Sequence, residues 1–362
     1  MAVRPTFQRE TSSDWGRRIT DPAVALGLPA RHPAAVEARR VAAVYPMAAT
    51  AYYLSLGNAF DRDDPILRQC VPSVEELDVG NGHDEDPLSE EAQSPVPGLV
   101  HRYKDRVLLV VTNKCAVHCR HCLRKRLWKS PPYALTDAQL DRAFAYIART
   151  EDVREVIVSG GDPLILPPAY LSSLLARLQR LKNVETVRIG SRVPVVLPQR
   201  LTEDFCRELG KFPPVWLITH FNHPRELTEE AAQACENLLR AGIPVLNQSV
   251  LLKGINDSVE TMSDLFRGLV HMRVKPYYLF HGDPVAGTMH FRTGIAKGLQ
   301  IMAGLRESVS GMAQPVFALD LPDGGGKVRL SPNVCTGSTP DGSPIFRGIS
   351  GREISYPDPV DY

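Results

Sequence analysis

The chain has 362 residues, 43% hydrophobic and 23% charged, which suits a soluble globular protein with one large domain and extensions. Its 42 basic residues are balanced by 41 acidic ones, and this near-neutrality speaks against a nucleic-acid partner. No stretch approaches the roughly 18 apolar residues of a membrane span, and residues 1–15 lack the apolar run of a signal peptide, so a cytoplasmic protein is expected.

Residues 1–98 read as a mostly helical N-terminal extension, with a helix over 36–56 carrying Tyr52, Tyr53 and Leu54. The acidic run Asp84-Glu85-Asp86 reads as a solvated loop. Pro87, Pro95 and Pro97 then mark an irregular connection. In the segment 99–330 the pattern changes. Short apolar strands over 107–112, 155–159, 186–190, 216–220, 245–251, 276–280 and 316–320 alternate with helical stretches. Several of the strands are nearly continuous apolar runs, as expected for parallel strands buried on both faces. Leu171, Leu174, Leu175 and Leu178 recur on one helical face. Thr136 with Gln139, and Asp257 with Glu260, resemble capping boxes. Repeated βα units predict an α/β fold, a partial (βα)6-type TIM-like barrel. The segment 331–362, rich in Gly, Pro and Ser, reads as an irregular tail.

Barrel chemistry sits at the carboxyl ends of strands. The polar residues there are Cys115–Cys122, Ser159–Asp162, Ser191 and Arg192, His220, Gln248, Asp283 and Asp320. Three of the seven cysteines, Cys115, Cys119 and Cys122, fall within eight residues just past the first predicted strand. In a cytoplasmic chain such clustering points to metal or redox chemistry, not disulfides. Three thiolates can hold three irons of a cubane and leave the fourth iron open. Zinc is the alternative, since His118 and His121 could complete a four-ligand set. The remaining cysteines, Cys70, Cys206, Cys235 and Cys335, read as isolated small hydrophobes. After the second strand, Ser159-Gly160-Gly161-Asp162 offers adjacent glycines whose backbone can approach a ligand closely.

The Cys-x3-Cys-x2-Cys spacing resembles the signature of the radical S-adenosylmethionine superfamily. The Ser159–Asp162 turn resembles that superfamily's contact to the cofactor's methionine amino group. Across about 46–333, the phrases TAYYLSL, DEDPLSEE, SPVPGLVHRYKDRVL, CRHCLRKR, VRIGSRVPVVLPQR, THFNHPRELTEE, NQSVLLKGIND, RVKPYYLF and LDLPDGGGK resemble the lysine 2,3-aminomutase family. The resemblance implies a [4Fe–4S] cluster on the three cysteines, S-adenosylmethionine, and pyridoxal 5′-phosphate. The pyridoxal lysine would be Lys327, which closes the run Gly324-Gly325-Gly326; a lysine in a flexible glycine loop can reach an aldehyde and later release it. Val328 follows that lysine, so the run is no P-loop. Tyr103 and Arg106 match the family's aromatic contact and phosphate arginine. His121, His220 and Gln248 match positions around the adenosyl group.

Arg124 matches the clamp on the substrate carboxylate, and Asp283 and Asp320 match the carboxylates that hold a distal ammonium. Two anionic groups select a distal cation and reject a distal carboxylate. The implied reaction is an isomerase's 2,3-amino shift. A reduced cluster cleaves S-adenosylmethionine, the deoxyadenosyl radical takes hydrogen from the β-carbon, and the amino nitrogen of L-lysine migrates from the α- to the β-carbon to give β-lysine. Arginine or ornithine is the alternative substrate, and a zinc knuckle without catalysis is the rival from another class. An electron donor such as flavodoxin or ferredoxin and a homo-oligomer are also implied. Ser258 and the single tail cysteine Cys335 stand where the clostridial members carry zinc ligands between subunits, so no structural zinc is expected.

Overall fold

The computed structural model describes residues 18–61, 63–78, 84–340, 342–348 and 351–356; the expectation about residues 1–15 lies outside them. Nine strands form one sheet in chain order: β1 (Leu99–Tyr103), β2 (Arg106–Val110), β3 (Glu155–Ser159), β4 (Thr186–Gly190), β5 (Val215–Thr219), β6 (Val245–Leu251), β7 (Lys275–His281), β8 (Val316–Leu321) and β9 (Gly326–Leu330). Strands β2 to β8 are parallel, and β1 and β9 flank them antiparallel. The six crossovers carry the helices Asp137–Arg149, Pro168–Gln179, Glu203–Leu209, Glu229–Arg240, Val259–His271 and Ile295–Ser308. This is the partial α/β barrel expected from the sequence. Its edge strands β1 and β9 share no ladder, but the Tyr103 hydroxyl accepts the Lys327 backbone N–H at 2.9 Å and bridges the seam.

The strands are not buried on both faces. Burial alternates along them, as in β3 and β6, because one face packs on helices while the other lines a cavity. On the helix side, Leu171, Leu174, Leu175 and Leu178 all enter the core, as the 3.6-residue period predicts. The Thr136–Gln139 capping box forms with both reciprocal bonds. At the other predicted box the cap is Ser258, whose hydroxyl accepts the Thr261 N–H; Asp257 instead accepts from Gly254.

The helix expected over 36–56 is two helices, Pro33–Ala42 and Ala51–Ser55, because Pro46 has no N–H to donate and its ring blocks the preceding turn. Tyr53, Leu54, Ile66, Leu67 and Cys70 join the same hydrophobic core as the barrel helices. The tail is not irregular either: Cys335–Ser338 (β10), Pro344–Arg347 (β11) and Glu353–Ser355 (β12) form a separate antiparallel sheet. These strands are too short for a period-2 pattern to stand out from their Gly and Ser content. Among the described residues no helix is long and apolar enough to cross a membrane.

Candidate active site

The three clustered cysteines, the turn Ser159–Asp162, and Tyr103, Arg106, His121, Arg124, His220, Gln248, Asp283, Asp320 and Lys327 line one cavity of about 830 Å³ that runs through the barrel mouth, whereas His118 does not line it. The cysteine loop leaves β2, and its three thiols are free of disulfides. Burial pushes Cys115 well up and Cys122 up to about 11, so the bare pocket disfavours thiolate; a bound metal or a neighbouring cation must offset that. A cation stands beside the third thiol. Arg192 donates from Nη1 to Cys119 Sγ at 2.9 Å. Its Nη2 is held by Glu226 (2.8 Å), Gln69 (2.6 Å) and Tyr53 (2.9 Å). Among the described residues no three His, Cys, Asp or Glu side chains converge as one ion requires. A cubane needs no such convergence, because each thiolate binds a different iron.

The loop is locked from beneath. Arg120, fully buried, donates from Nε and Nη2 to the Glu76 carboxylate (2.9 and 2.6 Å) and also reaches the carbonyls of Tyr45 and Pro46. Lys125 completes a triad, 2.7 Å from Glu76 Oε2 and 2.6 Å from the Gly287 carbonyl. His118, a candidate zinc ligand, has structural work instead: Nδ1 meets the Pro46 carbonyl at 2.9 Å and the ring stacks on Trp128. His121 lies edge-on to His220 and Phe291. Burial drives His121 well below the usual imidazole range and His220 down to about 3, so both are neutral. His121 Nδ1 and His220 Nε2 are buried and unpartnered, poised for a polar ligand.

The glycine turn works differently from expectation. The Gly161 N–H is not offered to the cavity but donates to the Thr112 carbonyl at 2.5 Å. A Cβ on Gly161 would collide with the carbonyl oxygen of Lys114, so glycine is needed where this turn packs against the strand leading into Cys115. Asp162 is buried; its carboxylate accepts from Ser191 Oγ (2.7 Å) and the Arg192 N–H (2.8 Å), and burial raises it to about 6.

On the opposite wall, Lys327 is a strand residue of β9, not part of a flexible loop. Gly324 and Gly325 lie in the turn before it, Gly326 opens the strand, and Asp320 of β8 faces Lys327 across the ladder. Its Nζ is 2.8 and 3.0 Å from the two Asp320 oxygens and 3.9 Å from the Phe280 ring centroid. Asp283, just past β7, is raised to about 7, first by burial and then by Asp320. Arg106 lies 3.7 Å over the Tyr103 ring and pairs with Asp105. Gln248, on the cavity face of β6, also lines this wall.

Arg124 is not a free clamp. Its Nε and Nη2 form a fork on Glu90 (2.8 and 2.6 Å), leaving Nη1 toward other partners. Arg126 also holds Glu90 and Asp86, both at 3.1 Å, and Lys129 pairs with Glu85. In the acidic run 84–86, Asp84 and Glu85 are exposed as a solvated loop predicts, while Asp86 is partly buried as counter-charge to Arg126. Glu90, Glu76 and Glu226 escape sequence reading, because nothing local marks an acidic residue as the partner of a distant arginine. Arg192 had one signal, its place at a strand end.

A family model described as the radical SAM superfamily matches residues 109–266, and one described as lysine-2,3-aminomutase matches residues 302–362. The chain is 46% identical over 316 residues to the L-lysine 2,3-aminomutase of Clostridium subterminale, covering 87% of this chain and 76% of that protein. It is 42% identical over 320 residues to the glutamate 2,3-aminomutase of Clostridioides difficile, covering 88% and 75%. Among solved structures, a radical SAM methyltransferase from Sphaerobacter thermophilus aligns with a TM-score of 0.44 at 18% identity, covering 61% of this chain and 68% of that one.

Proposed function

The chain belongs to the lysine 2,3-aminomutase family of radical S-adenosylmethionine enzymes, and from that premise we propose that it converts L-lysine to β-lysine with pyridoxal phosphate held by Lys327. It is an isomerase whose family uses a [4Fe–4S] cluster and S-adenosylmethionine.

The residues present fit these groups. Cys115, Cys119 and Cys122 would hold the cluster, with the Arg192 guanidinium beside Cys119 offsetting thiolate charge. The unpartnered nitrogens of His121 and His220, with Gln248, would meet the polar atoms of S-adenosylmethionine, and Asp162 with Ser159–Gly161 would flank its amino group. Lys327 would carry the pyridoxal aldehyde, Arg106 would pair with the phosphate, and Tyr103 would pack beside it. When bound, the cluster and S-adenosylmethionine supply a carbon radical that takes hydrogen, and the pyridoxal ring supplies a π-system for the migrating nitrogen. The chain's own residues bind and orient. Arg124, aligned by Glu90, presents Nη1 to the substrate carboxylate. Asp283 and Asp320 receive the distal ammonium.

The carrying observation for lysine over glutamate is the Asp283–Asp320 pair. The Asp320 carboxylate already adds to the cost of ionising Asp283, so a third carboxylate would be repelled, while an ammonium is attracted by both. A small reducing protein such as flavodoxin or ferredoxin would supply the electron. The test is anaerobic reconstitution with iron, sulfide and pyridoxal phosphate, followed by S-adenosylmethionine, reductant and labelled L-lysine, read by NMR. β-Lysine is expected. Formation of 5′-deoxyadenosine with lysine unchanged, and turnover of glutamate instead, would overturn the substrate assignment.

A further inference from the structure

We propose that Asp320 serves two cations in turn: the Lys327 ammonium holds its carboxylate until the lysine nitrogen is committed to pyridoxal phosphate, and only then can the carboxylate take the substrate's distal ammonium. The proposal rests on the roles given above to Lys327 and Asp320.

The pair is built into the backbone. Asp320 and Lys327 are cross-strand partners in the β8–β9 ladder, joined by a turn over 322–325. Cross-strand partners in an antiparallel ladder stand side by side, so the contact needs no long-range adjustment. Both carboxylate oxygens are engaged, at 2.8 and 3.0 Å. The ammonium is also 3.9 Å from the Phe280 centroid and 5.3 Å from that of Tyr278, which favours a cation there. Both side chains are largely shielded from water, 22% and 16% exposed, so the attraction is little screened.

A second ammonium brought to Asp320 would meet the first at close range. With both Asp320 oxygens already engaged by Lys327, only Asp283 would be left to take the second ammonium. Condensation with an aldehyde removes the conflict. The ammonium first gives one proton to solvent; the amine's lone pair then bonds the aldehyde carbon, and its two remaining protons leave with the aldehyde oxygen as water, so the nitrogen no longer carries a charge. The three-donor ammonium on Asp320 is gone, and Asp283 and Asp320 face the cavity as a pair. The consequence is ordered binding, with cofactor before the cationic substrate, and a lysine side chain that guards the distal pocket until the cofactor is in place.

The test measures binding of labelled L-lysine to the cofactor-free protein by equilibrium dialysis. The wild type is compared with Lys327→Met and with the double variant Lys327→Met/Asp320→Asn. Norleucine, which lacks the distal ammonium, is the control ligand. Lys327→Met is expected to bind lysine about tenfold tighter than wild type with no change for norleucine, and the double variant is expected to lose the gain. Equal lysine affinity in wild type and Lys327→Met, or a gain that survives Asp320→Asn, would overturn the proposal. Lys327→Gln replaces Lys327→Met if the latter shows a non-native circular dichroism spectrum. Adding pyridoxal phosphate separates the two readings. If the wild type shows no imine absorption band that Lys327→Met lacks, the cofactor assignment fails, while the dialysis still decides whether Lys327 and substrate compete for Asp320.

Discussion

Asp283 sits in a place where being charged is costly. Burial is the larger cause and the Asp320 carboxylate the second, and together they outweigh the pull of Lys327, Arg292 and Arg124, leaving Asp283 near 7. Its folded-state value lies above its unfolded one, so the folded protein holds the proton more tightly. Between about 4 and 7, rising pH therefore removes stability, and above 7 the residue is charged and fit to bind an ammonium. The apparent KM for lysine is expected to fall as pH rises through about 7, and Asp283→Asn should raise KM and flatten that dependence; steady-state kinetics across pH checks it. Glu90 is the opposite case. Although burial opposes ionisation, Arg124 and Arg126 hold its carboxyl down at about 2, so it is charged at every working pH. Glu90→Gln keeps the size but loosens the fork on Arg124. KM for lysine should rise about tenfold, with little change in kcat or in the electron paramagnetic resonance signal of the cluster.

Elements in this protein are tied by shared charges. The loop after β2 carries Arg120 and Lys125, and the segment Val74–Leu77 supplies Glu76 to both. Breaking such a buried pair leaves cations stranded in low dielectric, at a cost of about 3–5 kcal/mol. Glu76→Gln is expected to lower the melting temperature markedly and to reduce iron bound per chain on reconstitution, measured by calorimetry and metal analysis; full cluster loading with an unchanged melt would refute the clamp. The glycine turn after β3 belongs to the same assembly. It packs so closely on the strand before Cys115 that its glycines shape the cysteine loop as much as they shape a ligand site.

For the whole molecule, the open seam between β1 and β9 is the weak line of the barrel. The Tyr103 hydroxyl bridges it through the Lys327 N–H, so the residue that would pack beside the pyridoxal ring also fixes the strand that would carry it. Tyr103→Phe should cost about 1 kcal/mol and raise amide hydrogen exchange across 326–330 without affecting β4 to β6, as mass spectrometry would show. The N-terminal helices are also part of the barrel's function, since Tyr53 and Gln69 hold Arg192 against Cys119.

What the sequence determined by itself is local. The three cysteines share one loop, the strand and helix periods mark six βα crossovers, and the polar residues at strand ends all reach one cavity, because covalent spacing and backbone period bring them there without help from distant chain. Only the tertiary structure decided the charge partners. Arg124 meets Glu90 across 34 residues, Arg120 meets Glu76 across 44, and Arg192 meets Glu226 across 34. An ion pair has no period and no required spacing, so it leaves no mark in a chain until folding closes the distance. The strand position of Lys327 was hidden for a related reason. Its glycine run reads as a loop by propensity, yet the ladder with β8 and the Tyr103 hydrogen bond make it a strand, because the hydrogen bonds of neighbouring chain outweigh the weak preferences of glycine.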